Sequence, residues 1–168
     1  MRAALRRGAW TEYDLGFVTV PLLDLQAQYA PLRQDLLDAL TRVADSQRFI
    51  MGPEVDAFER EVAAVVDVTH AIGVSSGTDA LVAALMALDI GPGALVFTPP
   101  SPFIATAEPI SLLGATPVFV DIDPATFNID PAKLEEVVCA WEKKGKTPRP
   151  RAVIPVDLFG LSADYDAI

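Results

Sequence analysis

The sequence is poor in several residue types, and each shortage excludes a class of protein. Its 168 residues contain one cysteine, Cys139, and one histidine, His70. A single cysteine cannot close an internal disulfide, so nothing in the composition requires an oxidising compartment. We therefore predict a cytoplasmic protein that has neither a disulfide framework nor a metal site.

Long hydrophobic runs are also missing, although 51% of the residues are hydrophobic and the mean hydropathy is +0.33. A membrane-spanning helix needs about 18 consecutive apolar residues. The longest apolar stretch, residues 104–120, is interrupted by a glutamate, two prolines and a glycine. We predict no membrane span, and we expect the surplus of apolar side chains to be buried against another chain or a missing segment.

Positive charge is scarce, and its distribution is uneven. The sequence has 13 Lys and Arg against 23 Asp and Glu, a formal net charge of −10. This balance repels a phosphate backbone and excludes general nucleic-acid binding. No Lys or Arg occurs between Arg60 and Lys133. Any anion bound in that stretch must be held by backbone amides, hydroxyl groups and a helix dipole.

The periodicity of apolar residues predicts an alternation of helices and strands after a loosely held N-terminal arm, residues 1–18. Such an alternation is typical of βαβ units, hence of an α/β fold with a mostly parallel sheet and flanking helices. A further helix begins near Asp164 and is cut short at Ile168. We therefore expect a sheet that is incomplete at its C-terminus and a chain that is a fragment. The predicted helices are 31–44, 53–66, 78–88, 103–113 and 131–144, and the predicted strands are 70–75, 94–98, 117–122 and 151–156.

The sharpest local pattern is Gly73-Val-Ser-Ser-Gly-Thr-Asp-Ala-Leu81, between a predicted strand and a predicted helix. In one interpretation Ser76 or Thr78 is an ordinary helix N-cap. In a second, the G-x-S-x-G spacing makes Ser75 a hydrolase nucleophile, which requires a histidine later in the chain. In a third, the amides of Gly77, Thr78 and Asp79, with the hydroxyls of Ser76 and Thr78, bind a phosphate group at the helix N-terminus.

Several segments in matching order resemble the DegT/DnrJ/EryC1/StrS aminotransferases, which are pyridoxal-phosphate enzymes of fold-type I. The resemblance covers residues 19–168, which we interpret as the N-terminal part of the cofactor-binding domain. It implies transfer of an amino group from a donor such as glutamate to a nucleotide-linked keto sugar, as in polysaccharide biosynthesis, and a homodimer in the full-length form. The matching segments are Gly52–Val55, Gly73–Leu81, Ile104–Ala107, Gly114–Asp123, Thr126–Asp130 and Ile154–Gly160.

The resemblance also implies roles for individual residues. Ser76, Gly77 and Thr78 correspond to the turn that binds the cofactor phosphate, and Phe103 corresponds to the aromatic residue that stacks on the cofactor ring. From its position alone, Phe103 would be an ordinary core aromatic at a helix start. Asp157 stands where many members have histidine.

The family's Schiff-base lysine has no counterpart among Lys133, Lys143, Lys144 and Lys146, and the resemblance places it beyond Ile168. Because the amino group passes through that lysine, we expect this chain alone to be inactive. The last three lysines are instead interpreted as a solvated cluster at a helix C-terminus. Two alternatives remain: a non-catalytic binding or assembly module of the same fold, and a serine hydrolase that uses Ser75.

Overall fold

The computed structural model describes residues 12–14, 19–21, 23–100, 103–143, 145 and 148–168. The chain divides into two compact units, Met1–Gly73 and Val74–Ile168. Most of the predicted N-terminal arm, as well as Lys144 and Lys146, lies outside the described residues. Within the described part of the chain, no helix is long and apolar enough to cross a membrane.

The first unit begins with two short antiparallel strands, β1 (Glu12–Asp14) and β2 (Thr19–Pro21). The long helix α1 (Leu25–Ser46) follows, and the carboxylate of Asp24 caps it by accepting a hydrogen bond from the Ala27 amide at 2.9 Å. The prediction that Pro31 opens this helix is wrong, because Pro31 lies inside it. The Asp24 cap satisfies a free amide of the first turn, so the helix starts before the proline.

Helix α2 (Pro53–Val65) confirms the second predicted helix. It begins with a proline, which has the backbone angle that a first helical turn needs and no amide to leave unpaired. The preceding Gly52 is required by a close approach, because a Cβ atom there would lie 2.4 Å from the Arg48 carbonyl oxygen. Arg42 forms a surface ion pair with Glu54 over 3.2 Å.

The predicted strand at residues 70–75 does not form, and this segment is irregular. Its apolar side chains are not buried: Ile72 is 81% exposed and Val74 is 44% exposed. The amide of Gly73 donates to the Glu59 carboxylate at 2.7 Å instead of to a neighbouring strand. A strand needs a hydrogen-bonded partner, and the alternation of side chains does not supply one.

The second unit confirms the predicted α/β class. Its elements are α3 (Gly77–Ala87), β3 (Ala94–Thr98), a 3₁₀ turn (Ile104–Thr106), α4 (Glu108–Leu112), β4 (Thr116–Phe119), α5 (Pro131–Glu142), β5 (Arg149–Val153) and a second 3₁₀ turn (Leu158–Gly160). The three strands form a parallel sheet in the order β4–β3–β5. The central strand matches its predicted bounds, 94–98, and every residue in it is buried.

Two hydrophobic clusters pack on the sheet, and they divide the side chains of β3 between them. Ala94 and Val96 belong to one cluster, while Leu95 and Phe97 belong to the other. Successive side chains of a strand point to opposite faces, so β3 contributes to a core on each side. The first cluster also contains Leu85, Ile90, Ile110 and Ala115, and the second also contains Val120, Ile129 and Leu134.

The predicted helix 103–113 is divided in two. A 3₁₀ turn covers 104–106, and α4 begins at Glu108 with Pro109 in its first turn. Pro109 therefore lies in the first turn of a helix, whereas the predicted helix 103–113 ran through it. A proline lacks the amide that a continuous helix would need at this position, so the break falls just before it.

Candidate functional site

The turn that leads into α3 carries three of the predicted site residues. Ser76 is the N-cap, and its hydroxyl oxygen accepts a hydrogen bond from the Asp79 amide at 3.1 Å. The Ser76 carbonyl accepts the bond from the Ala80 amide at 3.0 Å. The amides of Gly77 and Thr78 precede that bond and have no partner within the helix. These two amides and the positive end of the helix dipole are suited to bind an anion.

Gly77 leaves open space at this turn. A Cβ atom built on Gly77 would meet no heavy atom within 4 Å. The glycine is therefore not required by the packing of the described residues. The space that a side chain would occupy is available to a bound group that approaches the backbone closely.

The predicted phosphate cradle needs one correction, because the Asp79 amide is not free. It donates to Ser76, and the Asp79 carboxylate accepts a hydrogen bond from the Ser75 hydroxyl. The N-cap interpretation of Ser76 is thus confirmed, and it coexists with unpaired amides at Gly77 and Thr78. Sequence reasoning missed the bond from Ser75 to Asp79, although their four-residue spacing places them one helical turn apart.

Phe103 directly precedes the first 3₁₀ turn and is 70% exposed. The interpretation of Phe103 as a core aromatic is therefore wrong. Its ring lines a shallow pocket of about 240 Å³ whose other walls include Pro99, Ile104 and Phe119. Pro102, which directly precedes Phe103, lies outside the described residues.

Both predicted site elements belong to the second unit. Phe103 follows the carboxyl end of β3, and the first 3₁₀ turn contacts α3. In open sheets of parallel strands, ligands bind at the carboxyl edge, where the loops and the helix N-termini meet. The turn at Ser76–Thr78 and Phe103 thus adjoin two elements that contact each other, α3 and the first 3₁₀ turn.

The described lysines do not contribute to this region. Lys133 forms an exposed ion pair with Glu136 over 3.3 Å on α5, and Lys143 caps the C-terminal end of that helix. Among the described residues, no group of histidine, cysteine and carboxylate side chains could hold a metal ion.

The sequence profile of the DegT/DnrJ/EryC1/StrS aminotransferases matches residues 31–168. The chain belongs to this family. A curated relative is the UDP-N-acetyl-3-dehydro-α-D-glucosamine 3-aminotransferase of Acidithiobacillus ferrooxidans, which is 45% identical over 149 residues. That alignment covers 89% of this chain and 38% of the relative, so the chain spans well under half of the relative's length.

Solved structures of family members agree with the fold. The crystal structure of a DegT DnrJ EryC1 StrS aminotransferase from Brucella abortus superposes with a TM-score of 0.84 and 44% identity, over 88% of this chain and 39% of that one. NtdA from Bacillus subtilis, solved with its bound cofactor PMP, superposes with a TM-score of 0.78 and 35% identity, over 89% of this chain and 33% of that one. The family depends on pyridoxal phosphate, and pyridoxal phosphate is the cofactor predicted from the sequence.

Proposed function

We propose that residues 19–168 form the N-terminal part of a pyridoxal-phosphate domain in a nucleotide-sugar aminotransferase. In the complete protein an amino acid such as glutamate would donate the amino group, and a nucleotide-linked keto sugar would accept it. Family membership and the UDP-sugar relative support this proposal. The observation that carries it is the turn at Gly77, which begins helix α3 directly after the Ser76 N-cap and where an added Cβ atom would meet no heavy atom within 4 Å.

The residues present suit the phosphate of the cofactor. The amides of Gly77 and Thr78 would each donate a hydrogen bond to it, and the Ser76 and Thr78 hydroxyls could add two more. With no Lys or Arg between residues 61 and 132, the helix dipole supplies the positive potential. The exposed face of Phe103 would stack on the flat pyridine ring. When bound, the cofactor supplies the carbonyl group that carries the amino group between the substrates.

We further propose that residues 1–168 bind the cofactor without transaminating. Lys133 and Lys143 lie on α5 and at its exposed end, and Lys133 is paired with Glu136. The single cysteine fits a cytoplasmic enzyme. The many exposed apolar side chains of α1, among them Leu25 and Leu40, fit a homodimer in which a second chain covers them.

A phosphorus NMR titration of the chain with pyridoxal 5′-phosphate tests this proposal. We expect the phosphate resonance to shift, and pyridoxal without the phosphate to bind more weakly. After borohydride treatment, peptide mass spectrometry should find no single lysine that carries most of the reduced cofactor. Stoichiometric fixation on a single lysine of this chain would refute the expected inactivity, and an unperturbed phosphate resonance would refute the cradle.

A further inference from the structure

Asn128 is a buried polar side chain that connects two distant loops. It is 4% exposed, and its side-chain amide donates to the Leu161 carbonyl at 2.9 Å. Its side-chain oxygen accepts from the Leu158 amide at 3.2 Å. The side chain thus accepts from one backbone donor, which the Val156 carbonyl also accepts from at 2.9 Å, and donates to one backbone acceptor of residues 157–161, the loop after β5. We refer to this segment as the 157–161 loop.

The loops on both sides of this connection have strained backbones. Phe127 has a φ of 63° and Phe159 a φ of 56°, values in the left-handed region that bulky residues avoid. Their rings meet edge to face, with centroids 6.5 Å apart and an angle of 79° between the planes. Such conformations persist only where surrounding contacts fix them, and they concentrate at functional sites.

Asp157 fixes the other end of the same loop. Its carboxylate oxygen Oδ1 accepts hydrogen bonds from the Ala163 amide at 2.9 Å and from the Tyr165 hydroxyl at 3.1 Å. This carboxylate, which stands at the position where many members have histidine, therefore bonds within its own chain. Asn128 thus fixes the loop through Leu158 and Leu161, and Asp157, its first residue, binds to the segment that follows it.

The 157–161 loop lies at the carboxyl edge of the parallel sheet. The loop follows the carboxyl end of β5, and Phe103 follows the carboxyl end of the adjacent parallel strand β3. Both segments therefore belong to the ligand-binding edge of the sheet. The Phe159 ring is 87% exposed there, so the hydrogen bonds that hold its backbone leave its ring available for contact.

We propose that Asn128 is a positioning residue: it fixes the 157–161 loop so that the exposed Phe159 ring contacts the sugar nucleotide bound at this edge. The identity of that ligand rests on the proposed function. The fixing of the loop rests on the two hydrogen bonds of Asn128 and on the paired phenylalanines.

Amide hydrogen exchange tests the fixing of the loop without any ligand. In Asn128→Ala, we expect exchange at Leu158, Leu161 and Ala163 to accelerate about tenfold, while amides of β3 keep their protection. Asn128→Asp keeps the acceptor for Leu158 and loses the donor to Leu161, so Leu158 should stay better protected than in the alanine variant.

The matched control is Thr98→Val, which removes the bond from the equally buried Thr98 hydroxyl to the Ile154 carbonyl, 3.0 Å long. It should destabilise the unit without preferential release of the 157–161 loop. Uniform acceleration over the whole second unit in Asn128→Ala, or no acceleration at all, would overturn the proposal. If Asn128→Ala fails to fold, amide exchange in the 157–161 loop is compared between Asn128→Asp and Thr98→Val. Preferential acceleration in Asn128→Asp supports the proposal, and its absence overturns it.

A ligand titration tests the contact. In the unmodified chain, UDP-N-acetylglucosamine should shift the ring resonances of Phe159, and Asn128→Ala should weaken this response about tenfold. Pyridoxal 5′-phosphate is titrated in parallel, with the Thr78 amide as its reporter. If the cofactor shifts Thr78 while the sugar nucleotide leaves Phe159 unchanged, the contact is refuted and the proposed function stands. If Thr78 does not respond, the proposed function fails, and Phe159 is judged by its own response.

Discussion

The hydroxyl oxygen of Ser76 lies 3.1 Å from the backbone nitrogen of Asp79 and accepts its hydrogen bond. This bond makes Ser76 the N-cap of α3 and leaves the amides of Gly77 and Thr78 as the unpaired donors of the first turn. One residue can therefore serve both the helix and a bound anion, and substitutions can separate the two roles.

Ser76→Ala should lower the free energy of unfolding by about 1 kcal/mol, because the cap is lost. Ser76→Asp should keep the cap and the stability, since aspartate caps helices as well as serine does. Its negative charge should nevertheless weaken pyridoxal 5′-phosphate binding by about tenfold or more. Urea unfolding and a cofactor titration measure the two effects. Undiminished cofactor affinity in Ser76→Asp would show that the phosphate lies elsewhere.

Gly77→Ala should weaken cofactor binding without lowering the stability of the fold. The new methyl group meets no atom within 4 Å, so stability should be unchanged or rise by up to about 1 kcal/mol. Cofactor affinity should fall, because the methyl group would occupy the space that we propose for the cofactor phosphate.

Gly114→Ala is the matched control for Gly77→Ala. Gly114 has a φ of 76°, and a Cβ there would lie 3.2 Å from Pro92 Cγ. This substitution should lower the free energy of unfolding by about 1 kcal/mol or more. The affinity of the folded chain for the cofactor should stay unchanged. Equal cofactor affinity in Gly77→Ala and the unmodified chain would contradict a phosphate at Gly77.

Phe103→Leu should change the absorbance of the bound cofactor and weaken its binding, with little effect on stability, because the ring is 70% exposed. Phe58→Leu is the control, since Phe58 is 59% exposed and lies on α2, away from the predicted site residues in sequence. Circular dichroism confirms folding, and a spectral titration gives the affinity. If both variants bind the cofactor with the affinity of the unmodified chain, the proposed stacking of Phe103 on the cofactor ring is wrong.

Tyr165 should make stability depend on alkaline pH. Partial burial, and then the hydrogen bond to Asp157 and its negative charge, raise the pKa of Tyr165 above the ordinary value of 10.0. A raised folded-state pKa means that the protonated phenol is stabilised, so the full contribution is present below about pH 10 and is lost as the pH rises through the folded pKa.

Urea unfolding at neutral and alkaline pH should therefore show a loss of stability that is smaller in Tyr165→Phe. The difference in tyrosinate absorbance between the two proteins gives the pKa itself. A Tyr165 pKa at or below its ordinary value would contradict the hydrogen bond to Asp157.

The sequence predicted the buried strand and the caps well. The run Ala94–Thr98 is continuously apolar apart from its last residue, which is typical of a strand covered on both faces, and β3 has those bounds. The pattern around Ser76 predicted a helix N-terminus, because a serine just before an apolar helical segment is a preferred N-cap. The prediction failed at Pro31, which lies inside α1, and at Pro109, which lies in the first turn of α4, because the local preference of proline does not fix where a helix begins.

The sequence by itself determined the α/β class, the family and the helix N-terminus at Ser76, since periodicity, caps and short motifs are local properties. Only the tertiary structure decided that residues 70–75 stay irregular, because a strand depends on a neighbour that its own residues do not encode. It also decided the hydrogen-bond partners of Asn128. The two hydrogen bonds of its side chain join residues 30 and 33 positions apart in the chain, and only folding brings the 157–161 loop within reach of its amide.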